Sequence, residues 1–99
     1  MLDMQCLNDL CADGRMHWVA DERAWNAEPS DVLTALADQG FQEYKHETTR
    51  SVRDRTPSGG VWQGLDNRTG TVASAIWVRR TDAPPLVFID IDGEPFEGR

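Results

Sequence analysis

The chain is poor in the residues from which catalytic and metal centres are usually assembled. It has two histidines, two cysteines and one tyrosine in 99 residues, and ten basic residues against seventeen acidic ones. Neither His17 nor His46 has a cysteine or a second histidine at metal-ligand spacing, so no structural zinc site is expected. Cys6 and Cys11 lie five apart in a segment of helical periodicity, where their side chains diverge. No disulfide is expected between them, and two cysteines do not make a disulfide scaffold. Gly-x-Ser-x-Gly, the Walker loop and the Rossmann glycine pattern are all missing. No apolar run approaches the roughly 20 residues that cross a bilayer. The N-terminus, MLDMQCLNDLC, has an early acid and no basic region before its apolar residues, which does not read as a secretory signal. A cytoplasmic protein with reduced thiols is expected.

What is present is acidic and unevenly spread. Residues 1–47 hold ten acids and three bases, and residues 48–99 hold seven of each, so the whole net charge of −7 lies in the first half. A negative field repels nucleic acid and anionic membrane and attracts basic partners. It also serves solubility alone.

A length of 99 residues suits one domain with one core. Met4, Leu7, Leu10 and Cys11 recur at helical spacing, with Asp3 as N-cap and Gly14 beyond the end, giving a short helix over 3–12. Residues 15–25 fit either a strand or a helix. The seven-residue spacing of Trp18 and Trp25 favours a helix, but Asp21 and Glu22 would then share the face of Trp18. Asn26 to Pro29 reads as a loop. Ser30 as N-cap, the stripe Val32, Leu33, Leu36 and Ala37, and Gly40 as a C′ residue predict a second helix. Phe41 begins an extended segment with Thr48, Thr49 and Val52. The run from Arg53 to Gly60, with Pro57, Ser58 and paired glycines, predicts a mobile loop.

The last third predicts an antiparallel meander. Strands over 61–65, 71–80 and 86–91 are separated by the turns 66–70 and 81–85. Val72, Ser74, Ile76 and Val78 fall on one face of the middle strand, and Ala73, Ala75 and Trp77 on the other. The nearly continuous apolar run Leu86 to Ile91 suggests a central strand or one buried on both faces. The expected object is a single α+β domain spanning 1–99: an antiparallel sheet of three to five strands with one or two N-terminal helices on one face.

The segment Val87-Phe88-Ile89-Asp90-Ile91-Asp92-Gly93 resembles the nucleophile motif of the haloacid dehalogenase phosphatases, an apolar strand followed by Asp-x-Asp-Gly. The resemblance would make Asp90 the residue that attacks phosphorus and Asp92 the acid/base, joined by magnesium. It covers seven residues. Glu94-Pro95 stands where the family has Thr or Val and then a large α/β domain carrying the rest of the site. A strand entering an Asp-Gly turn accounts for the same residues. The same turn offers Asp90, Asp92 and Glu94 as an opportunistic divalent site, though it lacks the ligand pattern of an EF-hand.

With no catalytic constellation, the expected function is non-enzymatic. The chain reads as an inhibitor or adaptor whose acidic half meets a basic surface on a nucleic-acid-binding protein. Phage- or plasmid-encoded antagonists of host defence, anti-CRISPR proteins among them, have this size and charge, which is an analogy and not a motif match. Trp18, Asp21, Glu22, Trp25 and Glu28 are the candidate partner contacts, because tryptophan is enriched at binding hot spots and the acids would face a basic partner. Arg53, Arg55, Arg79 and Arg80, with Arg50, are candidate anion-binding residues if their strands share a sheet edge; balancing local acids such as Asp54 and Asp82 is the plainer account of them. No cofactor, metal, membrane or direct nucleic-acid contact is expected, and a homodimer is compatible with the sequence. Two alternatives stand beside this reading. One is an immunity-type or regulatory partner of a single cognate enzyme. The other, of a different class, is a small-ligand-binding or catalytic domain using loop 53–60 and the Asp90–Glu94 turn.

Overall fold

The computed structural model describes residues 5–50 and 57–97. The described residues form two helices, α1 (Gln5–Ala12) and α2 (Pro29–Asp38), and seven strands: β1 (Met16–Val19), β2 (Ala24–Ala27), β3 (Gln42–Arg50), β4 (Pro57–Asp66), β5 (Thr71–Val78), β6 (Leu86–Ile91) and β7 (Glu94–Pro95). All strands belong to one antiparallel sheet in the order β1-β2-β6-β5-β4-β3. β5 pairs with β6 along 86–91, so β2 and the two-residue β7 divide the other edge of β6 between them. This is the expected α+β fold, with a wider sheet than the meander alone supplies.

On one edge β3 adds to the meander, and on the other the extra width comes from residues 16–27. They form a β-hairpin whose tip is a 3-10 turn over Ala20–Glu22, closed by Arg23 at φ 51°. The two tryptophans that suggested a helix are instead opposed across this hairpin, Trp18 against Trp25, with ring centroids 5.1 Å apart. Cross-strand aromatic pairing supplies the contact that a two-turn helical spacing had implied. It also leaves Asp21 and Glu22 at the exposed tip, which a helix would have set on the face of Trp18. The strand runs on through Asn26 and Ala27, so the expected loop there is absent.

α2 begins earlier than Ser30 suggests. Glu28 occupies the N-cap position without a side-chain cap, and Pro29 takes the first helical turn, where its fixed φ suits the helix and its missing N–H costs nothing. Pro29, Val32, Ala35 and Leu36 are buried, so Ala35 replaces Ala37 in the apolar stripe. Gly40, at φ 107°, ends the helix as expected, and the Phe41 N–H donates back to Leu36 O. α2 and its loops carry the chain from β2 to the far edge strand β3, over β6, β5 and β4. Four interstrand steps span about 19 Å, close to the roughly 15 Å length of a ten-residue helix.

The helices cover one face of the sheet. The core joins Leu7 and Leu10 of α1 and Val32 and Leu36 of α2 to Trp25, Trp62, Ala73, Ala75, Trp77, Val87 and Ile89 of the sheet. Full burial of an aliphatic side chain such as Val32 or Leu36 stabilises by about 1.5–3 kcal/mol. Small residues make room for large ones. A Cβ at Gly60 would strike the Trp77 ring, and one at Gly64 would strike the Trp62 ring. This corrects the expected loop over 53–60. Pro57 to Gly60 are part of β4; Gly60 leaves space for the Trp77 indole, and a Cβ at Gly59 would strike the Trp77 backbone carbonyl, so neither is a flexible joint. The remainder of that loop, with Arg53, Asp54 and Arg55, and the cap at Asp3 lie outside the described residues.

Candidate interaction surfaces

The β1–β2 tip carries the residues expected to meet a partner, and the structure separates them. Trp25 is 2% exposed. Its ring stacks on Phe96 and its Nε1 donates to Phe96 O at 3.0 Å. Trp25 is thus a core residue and is withdrawn as a surface anchor. Trp18 stays half-buried beside it. Glu28 accepts from Arg79 at 2.8 Å, and Glu22 lies 3.6 Å from Arg80. The hydrogen bond that Arg79 donates to Glu28 raises its guanidinium above the ordinary value. Arg80 also donates to Asn26 Oδ1 and to Pro84 O. Arg79 and Arg80 balance acids across the sheet, Glu28 and Glu22, rather than the local Asp82; Asp54 lies outside the described residues. Strand pairing forces this: Asn26 faces Leu86, and Leu86 faces Val78, which brings the end of β5 level with β2. Of the five expected contacts, Asp21 is the one exposed acid with no ion pair among the described residues. Two anion-site candidates are engaged by carboxylates, and the other two, Arg53 and Arg55, lie outside the described residues.

Over the opposite face of the sheet there is no helix among the described residues. Its alternation is visible in the register. Val61 faces Ile76, and Ile76 faces Phe88, which sets an apolar row straight across β4, β5 and β6. Ile76 is 50% exposed and Phe88 38%. Val78, on the same face of β5, is also exposed. The next row is polar: Lys45, Gln63, Ser74 and Asp90, with Gln63 Nε2 donating to Ser74 Oγ at 3.4 Å. The two rows border a groove of about 460 Å³, which Arg23 and Pro95 also line. Asp90 Oδ1 is buried and meets no donor among the described residues. A buried carboxylate oxygen without a donor carries an uncompensated desolvation cost, which an incoming N–H group would relieve.

The Asp90–Glu94 turn is structural on its other side. Asp92, at φ 54°, and Gly93, at φ 86°, are the two central residues of a β6–β7 hairpin, the pattern of a type I′ turn. The Asp92 carboxylate accepts from Val72 N at 2.9 Å, and the Asp92 N–H donates to Val72 O at 2.7 Å. Asp90 lies on the open face and Asp92 against β5, so the two do not converge on one ion. Among the described residues no group of three or more His, Cys, Asp or Glu is placed to hold a metal. No helix among them is long and apolar enough to cross a membrane.

A second cavity, about 570 Å³, lies between α1 and β1 beside Asn8, Cys11, His17 and Trp18. Burial pushes the Cys11 thiol up, which keeps it protonated and weakly nucleophilic. The open face was the surface missed in the sequence. Its signal was there, since Ile76 and Val78 alternate with Ala73, Ala75 and Trp77, and both sets are apolar. With both sets apolar, the alternation alone gives no preference for which face the helices take. Comparison with protein-family models, with curated proteins and with solved structures finds no match to this chain.

Proposed function

We propose that this protein is a non-catalytic binding module that takes a segment of another protein across the open face of its sheet. The observation that carries the reading is the uncovered row Val61–Ile76–Phe88, set beside a buried carboxylate oxygen of Asp90 that lacks a donor. Exposed contiguous apolar surface rimmed by polar residues is what a protein interface requires. The complementary partner presents an apolar side chain to the row and a cationic or amide donor to Asp90. The net charge of −7 favours a basic partner by steering its approach. Inhibitor and adaptor are both consistent with such a module.

Selection of a random peptide library on the immobilised protein tests the reading. The expected result is enrichment of peptides with Lys or Arg next to an apolar residue, weakened by Phe88→Ser, by Asp90→Asn and by added salt. No enrichment, or equal binding by Phe88→Ser and the native chain, contradicts it.

A further inference from the structure

The sheet ends at β3, and this edge is unlike the other. β1 is four residues long and starts at the buried Met16. β3 runs for nine residues, every one of them exposed, with Tyr44 57% exposed. It pairs with β4 on one side and with no strand on the other among the described residues. A long free edge offers a row of backbone donors and acceptors to another strand. Natural edges are guarded by charge. Here two register irregularities, between Glu43 and Lys45 and between Thr49 and Arg50, confine regular pairing to the stretch 45–49, which carries Lys45 and Glu47, charges of opposite sign.

We infer that the edge of β3 pairs antiparallel with β3 of a second copy of this chain, about a two-fold axis at His46. In that register Lys45, the single lysine of the chain, falls opposite Glu47 of the second copy, and Glu47 falls opposite Lys45. Both side chains stand on the open face, since Lys45 is level with Gln63 and Glu47 with Val61. Directly opposed residues of an antiparallel pair share a face, so two reciprocal ion pairs flank the axis. The isologous contact is self-complementary, as a two-fold requires. Repulsion between two acidic chains does not concentrate here, because β3 itself holds two acids and two bases. The symmetry axis stands perpendicular to the sheet, so the open faces of both copies lie on the same side and the apolar rows join into one surface. The dimer uses the edge and the proposed partner uses the face, so either can fail without the other.

Sedimentation equilibrium of the full chain at low salt, with Lys45→Glu, Glu47→Lys and the double exchange, tests this. The native chain is expected to dimerise. Each single reversal sets like charges against each other in both pairs and weakens the dimer roughly tenfold or more. The double exchange restores the opposition of charges and recovers the native association. Circular dichroism of these exposed-site variants checks that the fold is kept. A native chain that stays monomeric at high micromolar concentration overturns the inference. So does a dimer that the single reversals leave intact, or one lost in Phe88→Ser, which would move the contact to the face.

Discussion

The indole of Trp62 lies over Gly64, two residues on in its own strand, and its Nε1 donates to Glu43 Oε1 at 2.8 Å. The ring therefore holds the sheet surface on one side and the edge strand on the other. A Cβ at position 64 would meet atoms of the Trp62 ring before anything else. Gly64→Ala is expected to destabilise the native chain while costing much less in a Trp62→Ala background. Denaturant midpoints for the four chains of this double-mutant cycle measure the coupling. Additive losses would show that the ring does not depend on the glycine.

Trp77 is 5% exposed and occupies the space left by Gly60. Trp77→Ala removes a large buried aromatic and should cost about 3–5 kcal/mol. For a chain of this size that is a fall in melting temperature of at least about 10 °C. An unchanged melting temperature would place the ring outside the core.

These tryptophans mark the limit of what the sequence made legible. Period-two alternation identified β5 and its two faces, because Ala73, Ala75 and Trp77 are interleaved with Val72, Ser74, Ile76 and Val78. Turn chemistry at Asp66–Gly70 and Asp92-Gly93 identified the strand ends. The hairpin at 16–27 was ambiguous because a seven-residue spacing is two helical turns and also fits opposition across a short hairpin. The glycines at 59 and 60 read as a loop because a local window does not contain Trp77, whose backbone carbonyl lies close to Gly59 and whose indole lies over Gly60 from another strand. The binding face was hidden for a related reason. With both sides of β5 apolar, only the path of α2 decides which side is covered.

The hairpin loop at Asp66 predicts a pH dependence. Arg68 donates to the Asp66 carboxylate through Nε at 3.0 Å, through its backbone N–H at 2.9 Å and through Nη2 at 2.9 Å. These bonds, led by those of the side chain, hold the Asp66 carboxyl below the ordinary carboxylate value. Arg68 Nη2 also reaches Gln39 O at 2.7 Å, which ties the loop to the end of α2. A depressed carboxyl stabilises the fold fully above the ordinary aspartate value of about 3.9, and that contribution is lost as pH falls through the folded-state value. Asp66→Asn should flatten the acid limb of a melting-temperature profile and leave the profile near neutrality parallel to the native one. An acid limb of unchanged slope would mean that Asp66 does not carry the linkage.

The Asp90-Ile91-Asp92-Gly93 run should confer no phosphatase activity. Asp92 is bonded to Val72 on the neighbouring strand, and Asp90 faces the open groove. Assay with magnesium and a generic phosphomonoester is expected to give background turnover, the same for native protein and Asp90→Asn. Turnover abolished by Asp90→Asn would establish a catalytic site on this turn.

The most direct test of the binding account is a map of the contact on the native chain. A peptide selected on the protein, carrying Lys or Arg beside an apolar residue, is titrated into isotopically labelled protein, and the amide chemical shifts are followed. The account predicts that the shifts gather on Val61, Gln63, Ser74, Ile76, Phe88 and Asp90, across β4, β5 and β6. Shifts gathered instead at Trp18, Asp21 and Glu22, with the open face unmoved, would contradict it and return the contact to the acidic tip.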